Sequence, residues 1–492
     1  MGKALVCFSL SSLSCELLFF IWCRGDVVLT VTLRRTLPCL VIFLSACSSV
    51  STKQPDPIEL APVFSVSQND RLIQGENAWW QAFDDAELSH WITTGLEQNY
   101  SLQAARARLE QSMASWRSSR SDNYPTLDAS LGRSRTWTDS AVSQSTNNQW
   151  SAGLSTSYEV DLWGAIGAVN SQSEFTSYSR EASIRTLANT VAGQVATAWL
   201  GLRKETQMLV LLNSQQQRIE SALKVVQGRY QRGQTSVTDV WQQEQLLESI
   251  HADIITSEGQ RSIYRQQLAL WAGVGDAALT DEQINALAPL PTLSPLDGRV
   301  SSAALKKRPD VETAFYNLQA AGAGVAAAVA NRYPRFTLSA SYQGQDERFS
   351  NVLDNWVASL AGSLVLPLID GGQRRAEVQR QQALETEAVA NYQQTLLEAA
   401  QEVQEALITE QQSAALVESL TRQLTLSKQT QEVQNSSYRR GVTGFLELLS
   451  VQQDVLNLET RLLDATWAQV LARIQLYKSV SHGQFTEEGA SQ

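Results

Sequence analysis

Four short landmarks occur twice in this chain, in the same order and at nearly one spacing. Asn123-Tyr124-Pro125-Thr126-Leu127 returns as Arg332-Tyr333-Pro334-Arg335-Phe336, and Trp150-Ser151-Ala152-Gly153-Leu154 as Trp356-Val357-Ala358-Ser359-Leu360. Asp161-Leu162-Trp163-Gly164 returns loosely as Leu368-Ile369-Asp370-Gly371-Gly372, and Tyr230-Gln231-Arg232-Gly233-Gln234-Thr235 as Tyr438-Arg439-Arg440-Gly441-Val442-Thr443. Pro125 and Pro334 are 209 residues apart, Trp150 and Trp356 206, and Gly233 and Gly441 208. A period this long is a duplicated half rather than a solenoid repeat. Each half has the same grammar: a helical segment, Tyr-Pro, two alternating strands, then a very long helical tract broken near Tyr-x-Arg-Gly.

The strands are legible by parity. From Trp150 to Leu162 the even positions are Trp, Ala, Leu, Thr, Tyr, Val and Leu, and the odd ones Ser, Gly, Ser, Ser, Glu and Asp. Period-2 alternation of this kind marks a strand with one wet and one dry face. Phe336, Leu338, Ala340 and Tyr342 alternate with polar residues in the second half, and Trp356, Ala358, Leu360, Leu364 and Leu366 form the last apolar face. Thr126 to Thr136 is less regular: Leu127, Ala129 and Leu131 are apolar, but Arg133 and Arg135 share their face. Aromatic residues at the strand ends suit membrane-interface girdles. A soluble sandwich with one wet face is the competing reading, weakened by there being only four strands in so long a chain.

The helical tracts carry a 3-4 spacing: Leu448, Val451, Val455, Leu458, Leu462 and Ala465 in one half, Val240, Leu247, Ile250 and Ile254 in the other. This is a coiled-coil seam. Gly372 to Ser437 contains neither Pro nor internal Gly, and a hairpin turning near its middle would project roughly 50 Å from the strands. Four strands cannot close a membrane barrel, and unpaired edges are intolerable in lipid. Three copies would supply twelve.

The N-terminus reads as a leader. Arg34-Arg35, the apolar run Leu37 to Leu44 and the tetrad Leu44-Ser45-Ala46-Cys47 describe a secretory signal ending in a lipidation box, in which the thiol carries the lipid. All five Cys lie at or before this point, so the processed chain holds no disulfide or Cys-based metal site. Ser48, rather than Asp, favours sorting to the outer membrane. The expected organisation is a signal peptide 1–46 (1–30 belonging to an over-long start); a lipid-anchored extended tether 47–75; a first repeat 76–290, with strands about 124–137 and 149–163 and long helices 164–273; a second repeat 291–480, with a helix 310–331, strands about 334–345 and 355–368 and long helices 371–480; and a tail 481–492. The formal net charge of −11 argues against nucleic acid as a partner, since phosphate binding needs clustered Lys and Arg.

At this point the chain resembles the TolC-like outer-membrane efflux family, specifically its lipoprotein (NodT/OprM-like) branch. The resemblance covers nearly all of residues 47–480. It rests on Cys47 and its box, Trp79-Trp80-x-x-Phe83 with Asp84-Asp85-x-Glu87-Leu88, Asp161-Leu162-Trp163-Gly164, Arg308-Pro309-Asp310-Val311, Asp370-Gly371-Gly372 and the twin Tyr-x-Arg-Gly turns. It implies an α+β membrane protein: a homotrimer with a 12-strand β-barrel, a periplasmic helical coiled-coil barrel, and a mixed equatorial zone near the helix breaks and the two chain ends. It also implies a periplasmic adaptor and an inner-membrane pump of the proton-driven RND type as partners. The localisation implied is the outer membrane, with N-palmitoyl and S-diacylglycerol groups on Cys47 and the helical barrel in the periplasm.

The residues point to no catalysis and no cofactor beyond that covalent lipid. His90, His251 and His482 are widely separated, and Gly322 and Gly324 lie in an Ala-rich helix rather than a nucleotide loop. The resemblance places a periplasmic gate at the helical tips. The second tip is expected near Gln404 to Glu418, with Glu405 and Glu410 as gate residues. The first is expected at Arg203-Lys204-Glu205, which together with Glu410 would meet the adaptor; ordinary solvated helix-face charges are the bland alternative. The leading function is export of drugs or toxic compounds. The alternatives are a type I protein-secretion duct and a periplasmic coiled-coil lipoprotein without a pore.

Overall fold

The computed structural model describes residues 63–65, 78–139, 144–275, 279–294, 296 and 299–481. Cys47, its box, most of the tether and His482 lie outside the described residues. In chain order the elements are β1 (Val63–Ser65), a 3-10 turn (Trp79–Phe83), α1 (Ala86–Gln98), α2 (Tyr100–Ser121), β2 (Thr126–Asp139), β3 (Gln144–Val160), α3 (Ala165–Gln231), α4 (Val237–Ala272), a short α5 (Asp281–Asn285), β4 (Arg299–Ser301), a short α6 (Ser302–Leu305), α7 (Pro309–Ala330), β5 (Arg335–Asp346), β6 (Trp356–Val365), α8 (Gln373–Arg439) and α9 (Phe445–Val480). The duplicated grammar is therefore physical: two β-hairpins, each followed by a helix of 67 residues and one of 36.

The four long strands form one antiparallel sheet in the order β2-β3-β5-β6. Its register sets the faces, because directly paired residues point the same way. Leu127, Ala129 and Leu131 pair with Thr156, Leu154 and Ala152; Leu154, Tyr158 and Val160 pair with Tyr342, Leu338 and Phe336; and Phe336, Ala340 and Tyr342 pair with Leu364, Leu360 and Ala358. One face is thus apolar across all four strands. The opposite face carries Ser130, Ser155, Ser341, Ser359 and Gln343 among others.

Local chemistry places the junctions. Asn99 caps α2, accepting from the Ser101 and Leu102 amides at 2.9 and 3.2 Å, while its side-chain amide donates to the Trp271 carbonyl at 3.0 Å. Strand passes to helix at Gly164 and Gly372, both in the left-handed region (φ 74° and 90°), where a side chain is costly. Asp161 accepts from the Ile166 and Gly167 amides at 3.2 and 2.8 Å, satisfying orphan donors of α3.

The long tracts do not turn where the sequence placed their turns. At about 1.5 Å per residue, α3 and α8 each run about 100 Å without interruption. They pass straight through 203–205 and 404–418, and the chain reverses only at 232–236 and 440–444. The Tyr-x-Arg-Gly breaks are therefore the far tips, not part of an equatorial zone. The reason is local: nothing in 404–418 can stop a helix, whereas Gly233 and Gly441 adopt φ 67° and 74° and close Schellman turns. The Gln234 amide donates to the Arg229 carbonyl at 2.9 Å, and the Val442 amide to Ser437 at 3.0 Å. Ser236 caps α4, with Asp239 completing a capping box. At the second turn the cap is Gly444, whose amide donates to Glu447 at 3.0 Å.

The main core gathers midway along α3 and against the C-terminal part of α9. Trp79, Trp80, Phe83, Leu88 and Ile92 pack on Val195, Trp199 and Leu202 of α3, Leu268 of α4 and Ile474 of α9. Trp79 donates to Asn189 at 3.0 Å, and Asn189 donates to the Lys478 carbonyl at 2.9 Å. A second cluster joins β1 and β4, paired through Phe64 and Val300, to α8 at Leu396, Val403 and Leu407. Both described ends of the chain thus pack at mid-helix. Replacing Gly233 or Gly441 by Ala is expected to cost about 1 kcal/mol each, seen as a lowered denaturation midpoint by circular dichroism with the helix content of the native state unchanged.

Candidate conduction surface and helical turns

The apolar face of the sheet is bare. Leu127, Leu131, Leu360 and Leu364 are 73, 65, 83 and 65 % exposed. No water-facing surface keeps so wide an apolar patch uncovered, so this face belongs against lipid. At its helix-proximal end Trp163 stacks on Tyr333 (ring centroids 4.9 Å apart) and donates to the Pro334 carbonyl at 2.8 Å, locking the first strand-to-helix junction to the second hairpin. At the other end Tyr342 stacks on Trp356 at 5.1 Å. The polar face is knitted by the Ser341–Ser359 hydroxyl pair (2.7 Å) and the Gln149–Gln345 amide pair (2.6 Å). Uncharged hydroxyls and amides of this kind form a wettable wall for solutes of varied chemistry. Among the described residues no helix is long and apolar enough to cross a membrane, and no group of three or more His, Cys, Asp or Glu could hold a metal ion.

The charged residues singled out in the sequence lie at mid-helix. Arg203, Lys204 and Glu205 are all buried. The Arg203 guanidinium donates to the Asp85 carboxylate, the Ala288 carbonyl (2.9 Å) and the Pro289 carbonyl. Asp85 also caps α1 through the Leu88 amide (2.9 Å) and accepts from the Trp199 indole (3.3 Å). Lys204 pairs with Glu205 at 2.9 Å and Asp464 at 3.0 Å, and Ser257 donates to Glu205 at 2.7 Å. Burial alone would lower the Lys204 ammonium's pKa, but its two carboxylates raise it on balance. Glu410 is buried against Arg473 of α9, which also donates to the Ser294 carbonyl at 2.9 Å. Glu405 is exposed and accepts only from the Gln401 amide, one turn away, at 2.7 Å. Arg203, Lys204, Glu205 and Glu410 are thus not at a helical tip. They are ion-paired ties between helices, because the tips lie about 30 residues further on.

Two further ties were not foreseen. Arg308, at the start of α7, donates to Asp310 (2.6 Å), Glu402 (2.7 Å) and the Ser479 carbonyl (2.9 Å). Glu459 of α9 collects Arg218 of α3 (2.5 Å), Lys428 of α8 (3.0 Å) and Gln215 (3.1 Å). Burial would raise the Glu459 carboxyl, but these donors outweigh it and hold it below the usual glutamate value. The available signal was a charge on an apolar seam: Glu459 and Arg473 interrupt the buried face of α9, and an interrupting charge implies a buried partner.

At the tips, Arg229 of α3 lies over the ring of Tyr438 of α8, 4.4 Å from its centre, and Tyr438 touches Phe445 at 6.0 Å between centroids. This contact joins the two hairpins one turn from where they reverse. Beside it runs a groove of about 830 Å³ lined by Arg218, Arg229, Arg232 and Arg439 among others.

Breaking a mid-level tie strands its partner. Arg203→Ala and Arg473→Ala are each expected to destabilise the fold by about 3–5 kcal/mol, and Glu405→Ala by less than about 0.5 kcal/mol; denaturant titration with tryptophan fluorescence measures all three.

The description "outer membrane efflux protein" fits the chain twice, over residues 91–274 and 300–482, one match per repeat. The pyoverdine export outer membrane protein OpmQ of Pseudomonas aeruginosa is 28 % identical over 472 residues, covering 90 % of this chain and 95 % of that protein. The probable outer membrane lipoprotein SilC of Salmonella typhimurium is 24 % identical over 456 residues, covering 90 % and 97 %. The solved outer-membrane channel OprN superposes with a TM-score of 0.80 at 22 % identity, covering 87 % of this chain and 99 % of that one. With both repeats matched, and a sheet and two helix pairs of the same fold, the chain belongs to the outer membrane efflux protein family.

Proposed function

We propose that three copies of this chain close into the exit duct of a tripartite efflux system, passively conducting toxic small molecules from the periplasm to the exterior. The observation that carries this reading is the four-stranded sheet, apolar on one face and polar on the other, with unpaired edges at β2 and β6. In lipid each edge amide and carbonyl needs a partner. A ring of three copies satisfies them by joining β6 of one to β2 of the next, and supplies twelve strands. The polar face then lines the pore, and α3, α4, α8 and α9 continue it as a helical tube. No catalysis and no cofactor enter: a periplasmic adaptor and an RND-type inner-membrane pump supply energy and selectivity.

Similarity to the pyoverdine export protein OpmQ supports small-molecule export over protein secretion, and similarity to the probable outer membrane lipoprotein SilC supports lipidation at Cys47. The gate belongs at the turns rather than at Glu405 and Glu410. There the Arg229–Tyr438 contact holds one hairpin to the other, and the arginine-lined groove beside it faces the adaptor.

The purified protein in planar bilayers is expected to run as a trimer and conduct; a trimer without conductance would show a scaffold, not a duct. A cation–π contact of about 1 kcal/mol biases a two-state gate about fivefold, so Tyr438→Ala and Arg229→Ala should each raise the open fraction severalfold while Glu405→Ala leaves it unchanged. Equal open fractions in all three would remove the gate from the turns. Cys47→Ala, secreted by another signal, is expected to form trimers but insert less efficiently, read by outer-membrane fractionation.

A further inference from the structure

Two charged side chains stand on the lipid-facing side of the sheet. Arg133 and Arg135 occupy odd positions of β2, in line with Leu127, Ala129 and Leu131, and their cross-strand partners are Trp150 and Asn148. Both are exposed. Each guanidinium lies over an indole: Arg133 over Trp150 at 5.2 Å from the ring centre, Arg135 over Trp137 at 5.1 Å. Among the described residues neither arginine forms an ion pair. The nearby acidic residues on this face, Asp139 and Asp346, accept from uncharged amides and from neither arginine. Asp139 accepts the Gln144 amide at 3.1 Å, and Asp346, beside Trp150, accepts the Arg348 backbone amide at 2.8 Å.

Among the described strands the free edge that meets β2 in a closed ring is β6, and Trp356–Val365 contains no charged residue. Residues 140–143, Ser-Ala-Val-Ser, are also uncharged. Within one copy, therefore, neither guanidinium has an ion-pair partner among the described residues.

Depth identifies what can supply it. Strands rise about 3.3 Å per residue and tilt by about 40°. Counted from Thr126, where the sheet leaves the helices, Arg133 stands about 18 Å and Arg135 about 23 Å up the barrel axis. The apolar band of such a barrel is roughly 25 Å tall. Arg135 thus stands near its far boundary and Arg133 two residues below it, its long side chain able to reach up to that boundary, on the side opposite the helical tube. That boundary is the outer leaflet, where headgroup phosphates lie.

We propose that Arg133 and Arg135 form a binding site for the phosphate groups of an anionic glycolipid of the outer leaflet, one site per copy. The indole rings give each planar guanidinium an apolar floor, which holds it at the interface and leaves its N–H edges free. Two such edges, two residues apart on one face, match a phosphate by paired charge-assisted hydrogen bonds, which a lysine ammonium reproduces only as a point charge. This site rests on the outer-membrane barrel reading.

The test uses the full-length protein in zwitterionic nanodiscs, supplemented with bisphosphorylated lipid A or with the same lipid stripped of phosphate. Lipid retained per trimer is counted by native mass spectrometry. The wild type should retain the phosphorylated lipid at least about fivefold better than the stripped one. Arg133→Gln/Arg135→Gln should abolish that preference, and Arg133→Lys/Arg135→Lys should keep part of it. Equal retention of the two lipids by the wild type overturns the site without recourse to any variant, and so does an undiminished preference in the glutamine variant. A protein that neither inserts nor conducts would instead overturn the barrel reading on which the site rests.

Discussion

The constraint on which the rest depends is that lipid offers no partner to a backbone amide or carbonyl. A sheet of four strands with a bare apolar face and two open edges cannot stand alone in that medium. Its face requires lipid and its edges require more strand. The remainder of the chain fixes this sheet to the helices beneath it. The junctions at Gly164 and Gly372 turn strand sharply into helix, and the Trp163–Tyr333 stack holds the two hairpins of one chain together at their base. The helices beneath are then carried down side by side over the depth of the periplasm.

Helices of 67 residues need lateral support, because propensity alone does not hold so long a rod straight or fix its rotation. Support is concentrated at mid-length, where the two described chain ends pack. There apolar burial is combined with buried ion pairs, Arg203 with Asp85 and Arg473 with Glu410. Buried pairs are poor sources of net stability but strong sources of register, since a misplaced partner leaves an uncompensated charge. Beyond this belt the ties thin out to the Glu459 cluster and then to the Arg229–Tyr438 contact at the tips.

Much of the architecture was legible in the residues. The strand spans, the polar and apolar faces, the glycine-directed turns and the helix at 310–331 all agree with the elements within a few residues, apart from β3, which starts five residues earlier at Gln144. Each is encoded within a short window, by alternation, by a cap, or by a glycine whose φ no other residue adopts cheaply. Even Arg133 and Arg135 were visible as an interruption, though not the indole rings beneath them. The misplaced feature was the reach of the helices, and with it the tips. Glu410 is a partner of Arg473 in the mid-level belt, and Glu405 is an exposed helix-face charge.

The sequence by itself determined the duplication, the number of strands, which side of each strand is apolar, and where glycine breaks the long helices. These are properties of neighbouring residues and survive in any context. Tertiary structure alone decided which charges are buried and with whom. Asp85 and Arg203 are 118 positions apart, Glu410 and Arg473 63, and the partners of Glu459 lie on two other helices. Such pairs come within reach only after long helices have packed at one particular rotation. That rotation is set by the sum of many weak contacts over about 100 Å, which no local pattern records.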